Sequence, residues 1–122
     1  MPALADIGRV KVDVRHPNFW KATFNTATAQ TAKELVAAPS AGEHLVLTDF
    51  SMSAEGTANT IKLVEKTASQ TDIVEVIYLA DNGNLSHNFK MPMALSSAVN
   101  LGFVSSVSDN HSVTVSGYTE PD

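Results

Sequence analysis

The chain has 122 residues, enough for one domain with a single modest core, since domains cluster at about 100–150 residues. Hydrophobic residues make up 43%, too many for disorder, while charged residues reach only 17% against a usual ~25%. In place of charge stand 15 Ala, 12 Ser, 11 Thr and 8 Asn, which excludes coiled coils and charged helical bundles and suits short strands joined by polar turns. The absence of Cys excludes disulfides, thiolate metal sites, thiol catalysis and iron–sulfur clusters.

In chain order, the first predicted element is a leader. Val10, Val12 and Val14 share one face of 7–15, and Arg9, Lys11, Asp13 and Arg15 share the other. Strict period-two alternation predicts a half-buried strand. Pro17 ends it, because proline donates nothing to a ladder and restricts His16 before it. The Phe19-Trp20 pair is expected to anchor a junction between an extended arm, residues 1–21, and a body, residues 22–122.

The body reads as strands over 22–29, 33–38, 44–53, 59–66, 72–79, 85–89, 99–107 and 111–120. Turns separate them, at Pro39-Ser40-Ala41-Gly42, Ala54-Glu55-Gly56-Thr57 and Ser108-Asp109-Asn110. Asn82-Gly83 predicts a type I′ hairpin, and Pro92 is expected to break the strand before it. The fold class that follows is all-β, an antiparallel β-sandwich or barrel of about eight short strands with an N-terminal extended arm; the strand order stays open, since jelly-roll and other Greek-key connections both fit. No fixed-period repeat is present, which argues against solenoids and propellers.

Charge divides at the junction. Residues 1–21 hold Arg9, Lys11, Arg15 and Lys21 against Asp6 and Asp13, a net +2; the remaining residues hold 4 bases and 11 acids, a net −7. An acidic body repels phosphate, so nucleic acid is not an expected partner. No apolar run approaches the ~20 residues that span a bilayer, and no basic-flanked apolar leader is seen, so neither a membrane nor secretion is expected.

Motifs for chemistry are missing from the string. His16, His44, His87 and His111 stand at no metal-ligand spacing, and they read as ordinary surface or interface histidines. There is no G-x-S-x-G, P-loop or G-x-G-x-x-G. No glutamate sits in an aromatic-rich segment of the kind that walls a sugar cleft. Asp81-Asn82-Gly83-Asn84 lacks the glycine position and the twelfth-position glutamate of a calcium loop. No catalytic residue, metal or cofactor is therefore expected.

The stretch 32–118 resembles small structural proteins of tailed bacteriophages. The likeness rests on Leu35-Val36-Ala37-Ala38-Pro39-Ser40-Ala41-Gly42-Glu43-His44-Leu45-Val46-Leu47-Thr48-Asp49, on Ala58-Asn59-Thr60-Ile61-Lys62-Leu63, on Leu79-Ala80-Asp81-Asn82-Gly83-Asn84 with Asn88-Phe89-Lys90-Met91-Pro92, and on Ser112-Val113-Thr114-Val115-Ser116-Gly117-Tyr118. Such proteins are similar in fold to viral jelly rolls and tumour-necrosis-factor-like trimers. The resemblance implies a non-enzymatic capsid decoration (cement) protein: a homotrimer on the capsid surface of a virion, synthesised in the host bacterial cytoplasm, with the major capsid protein as partner and no small-molecule ligand. The alternative it leaves is a receptor- or carbohydrate-binding fibre or tail module. The leader has no counterpart in the resemblance. Its Ile7, Arg9, Val10, Lys11, Val12, Val14 and Arg15, with Phe19 and Trp20, form the expected docking interface on an adjacent subunit.

Overall fold

Eight strands pair in a nested series in the computed structural model, which describes residues 18–67 and 72–122. They are β1 (Phe19–Thr26), β2 (Lys33–Val36), β3 (Glu43–Ala54), β4 (Asn59–Glu65), β5 (Asp72–Leu79), β6 (Asn84–Ser97), β7 (Leu101–Ser105) and β8 (His111–Pro121). The pairs β4–β5, β3–β6, β2–β7 and β1–β8 are all antiparallel, as in one long hairpin. Two further pairings, β3–β8 and β4–β7, roll that hairpin up. The result is two four-stranded sheets, β1-β8-β3-β6 and β2-β7-β4-β5. This is the strand order of a jelly roll, two Greek keys wound into one sandwich.

Alternation decides which side chains meet between the sheets. In β8, His111, Val113, Val115 and Gly117 are buried and the residues between them are half-exposed. In β3, Leu45, Leu47, Phe50 and Met52 point inward, the parity changing at an irregularity between Leu47 and Asp49. Ile61, Leu63, Leu101 and Phe103 complete the core from the second sheet, with Trp20, Ala22 and Phe24 packed at its margin.

Strand bounds agree closely with the sequence expectation, and three particulars differ. β1 begins at Phe19, so the sandwich takes in residues 19–21 that the composition shift assigns to the arm. Pro92 does not end a strand: β6 runs on to Ser97. Asn88 and Met93, five apart, pair with Asp49 and Leu47, two apart, so Pro92 sits in a bulge of an edge strand where no ladder bond is asked of it. The third difference is the Asn-Gly turn. It joins strands in different sheets, so it is not a hairpin, and Asn82 alone has positive φ (54°), one residue fewer than a type I′ turn needs.

Gly117 marks the tightest contact of the sandwich. A Cβ there would stand 1.9 Å from the Val46 carbonyl oxygen and 2.7 Å from the Trp20 ring. Trp20 is the register partner of Gly117 and lies over the space its missing side chain leaves. Backbone does not yield as a side-chain tip does, so Gly117→Ala is expected to destabilise by about 2–3 kcal/mol, at the high end of overpacking costs. Urea unfolding checks it: the midpoint should fall with no change in slope.

Candidate interaction surfaces

The outer face of the first sheet is assembled from the alternate residues of four strands. Register places Thr23, Thr114, Ser51 and Ser86 in one row across it, and Asn25, Ser112, Ser53 and Asn84 in the next. Hydroxyls in these rows bond each other: Thr23 with Thr114 at 3.1 Å, Ser51 with Ser86 at 3.1 Å, and Ser53 with Ser112 at 2.7 Å. A third row holds Lys21, Ser116, Asp49 and Asn88, whose single base and single acid cancel. Ten of the chain's 31 Ser, Thr and Asn residues stand in these three rows. The face is nearly neutral and rich in paired donors and acceptors.

One flank of the sandwich is apolar instead. Among the described residues the exposed large hydrophobics are Phe19, Ile73, Tyr78, Leu85 and Met91, and the last four lie on β5 and β6. These strands are the free edges of the two sheets on the same side. Tyr78 is 79% exposed and Met91 85%. Between the edges opens a cleft of about 270 Å³ lined by Phe50, Glu75, Val76, Ile77, Tyr78, Leu85 and His87. His87 packs in an aromatic cluster with Phe50 (5.6 Å between centroids) and Phe89 (4.6 Å, edge-on). The Glu75 side chain has no ion pair or hydrogen bond among the described residues.

A neutral edge is the natural template for an added strand. β6 divides at its bulge. Lys90 and Pro92 obstruct the later half, whereas 84–89 carries no charged residue and no proline. That open half borders the cleft.

The histidines differ from one another. His111 is buried, which corrects the surface assignment: its Nδ1 bonds the Asp109 carbonyl at 2.6 Å and its Nε2 the Ser105 hydroxyl at 2.9 Å. Nδ1 faces a carbonyl and must carry the hydrogen, leaving Nε2 to accept from Ser105. The Ser105 oxygen also accepts the Gln30 amide at 2.9 Å, and the residue is only 4% exposed. A Ser–His pair so enclosed joins strands and offers no nucleophile to an incoming molecule. His16 lies outside the described residues.

His44 closes the pole where the C-terminal strand ends. Its Nδ1 meets Asp122 at 2.9 Å and its Nε2 meets Glu120 at 3.1 Å, while Ser97 donates its hydroxyl to the other Asp122 oxygen. The Asp122 hydrogen bond raises the His44 pKa above its ordinary 6.5; burial opposes it, and Glu120 adds to the rise. Ser97 and then His44 lower that of Asp122 below 3.8.

Of the residues the sequence marks for docking, Ile7, Arg9, Val10, Lys11, Val12, Val14 and Arg15 lie outside the described residues. Phe19 and Trp20 are brought together only as neighbours in β1: Phe19 is 50% exposed on the outer face, and Trp20 faces the core with its indole nitrogen buried and unpartnered among the described residues. Sequence reading missed Glu75, Tyr78 and Leu85. Nothing in a string says that two consecutive strands will be edges of opposite sheets. No family model and no curated protein matches this sequence.

The pole gives a signed pH dependence. A raised His44 pKa contributes stability that is full below about pH 6.5 and lost as pH rises through its folded value. A lowered Asp122 pKa contributes stability present above about pH 3.8 and lost as pH falls through its folded value. The clasp is therefore strongest between those limits. Thermal midpoints measured from pH 5.5 to 8.5 should decline in the wild type more than in His44→Gln, and parallel curves would show that His44 contributes nothing.

Proposed function

We propose that this chain is a structural virion protein: a trimeric decoration (cement) protein bound to the outside of a tailed-bacteriophage capsid, where it stabilises contacts between capsid subunits. The observation that supports the reading is a jelly-roll sandwich with a near-neutral hydroxyl-covered sheet face and an apolar flank. The resemblance of 32–118 to phage structural proteins supplies the setting. A cement protein binds many equivalent positions on a shell, so modest contacts multiplied by symmetry make detachment slow. The leader adds an arm that docks on an adjacent subunit, its valines seated by strand addition to an exposed edge.

One observation favours a second reading, a receptor- or carbohydrate-binding module of a fibre or tail. Tyr78 presents most of its ring beside a cleft that also holds a carboxylate and an imidazole, a combination suited to stacking and hydrogen-bonding a sugar.

Light scattering should give a species of three times 13.0 kDa. Purified protein mixed with empty phage shells should appear as ordered density on the outer surface, and deletion of residues 1–15 should weaken that binding at least tenfold. A monomer that leaves shells bare overturns the proposal. Specific glycan-array binding lost in Tyr78→Ala would establish the second reading in its place.

A further inference from the structure

We infer that residues 9–14 of one copy dock along the 84–89 edge of β6 in a neighbouring copy, over the cleft between β5 and β6. The inference rests on the trimeric reading above and names the surface that holds the trimer together.

Three properties of the flank match the segment. The edge at 84–89 is free of charge and proline, so its main chain is open to pairing, and 9–14 is a six-residue stretch of strict alternation without proline. A strand added there carries one row of side chains towards the core side of the sheet, where the cleft of about 270 Å³ is walled by Phe50, Ile77 and Leu85. Val10, Val12 and Val14 supply such a row. Charge also agrees: β5, β6 and their connection carry Asp72, Glu75 and Asp81 against Lys90. Asp72 is paired with Lys66, but the Glu75 side chain lacks a partner among the described residues, and the segment carries Arg9 and Lys11 against Asp13, with Arg15 next to it.

Reach decides between the chain's own edge and a neighbour's. β1 and β6 are the opposite edges of one sheet. Three strand spacings separate them and a docked strand lies one spacing further, about 19 Å from β1. Val14 is five residues before Phe19, which spans at most about 18 Å at full extension. A segment seated as far as Val14 therefore belongs to another copy. An interface of this kind is head-to-tail, and it closes into a ring when each copy gives one arm and receives one.

The chain has no Cys, so single substitutions give unambiguous cross-links. Val12→Cys protein carrying a size tag would be mixed with untagged Leu85→Cys protein and oxidised. At least tenfold more mixed disulfide is expected than with Ser116→Cys, which sits on the opposite face of that sheet. In light scattering, the otherwise wild-type chain lacking 1–15 and the Leu85→Asp variant should both run as monomers, with circular dichroism confirming the fold; Leu85→Ser serves if Leu85→Asp does not fold. A disulfide that forms only within a doubly substituted chain overturns the inference. So does a trimer that survives the deletion while shell binding falls, which would put the arm on the capsid and leave the cement reading standing. A mixed disulfide in a protein that ignores shells would uphold this interface and remove that reading.

Discussion

The seam between β3 and β8 is the constraint on which the molecule depends. Leu47 pairs with Gly117 and Met52 with Val113, partners that the chain brings together only after four intervening strands have been placed. The two strands bring Leu45, Leu47, Phe50, Met52, Val113 and Val115 to the core, so the same contact that rolls the hairpin also fills the sandwich. Strands on both sides inherit their positions from it, β1 through β8 and β6 through β3. Pairings so distant in sequence must be closed against loop entropy before they are rewarded, which makes this a slow-folding topology.

Much of that architecture was legible in the residues. Alternation in 111–120, the Ile and Val of 72–79, and the turn residues between apolar runs place the strands because such patterning is a local property. Partner choice is not local. The string shows an Asn-Gly turn after Leu79 and invites a hairpin; in the fold, β5 and β6 leave that turn for different sheets. Pro92 misleads for a related reason, since only a strand known to be an edge, and bulged, can hold it. The apolar flank was invisible in the same way: Leu85 and Tyr78 look like core residues until the sheet order puts both on edges. His111 was misplaced because its burial depends on Ser105 and Asp109 satisfying both ring nitrogens.

Three loops at the pole opposite His44 are tied without any regular structure. Asn82 accepts the Gly56 amide at 2.8 Å, Asp81 the Ala58 amide at 2.7 Å, and Asp109 the Thr57 hydroxyl at 2.7 Å. These bonds join the connections 55–58, 80–83 and 106–110, which belong to both sheets. Short polar side chains there act as the cross-braces that a small sandwich without disulfides requires. At the other pole Asn18 and Thr119 share a backbone hydrogen bond, so the two ends of the described span leave the sandwich side by side.

The near-neutral rows of the first sheet set how any contact made through them would respond to its surroundings. Fixed charges attract over a Debye length, about 8 Å at physiological ionic strength, and salt removes that attraction. Rows such as Thr23-Thr114-Ser51-Ser86 have none to lose. A partner meeting this face would not be steered to it from a distance, and would arrive at the slower rate of an unguided encounter. Once seated, it would hold equally in dilute buffer and in brine.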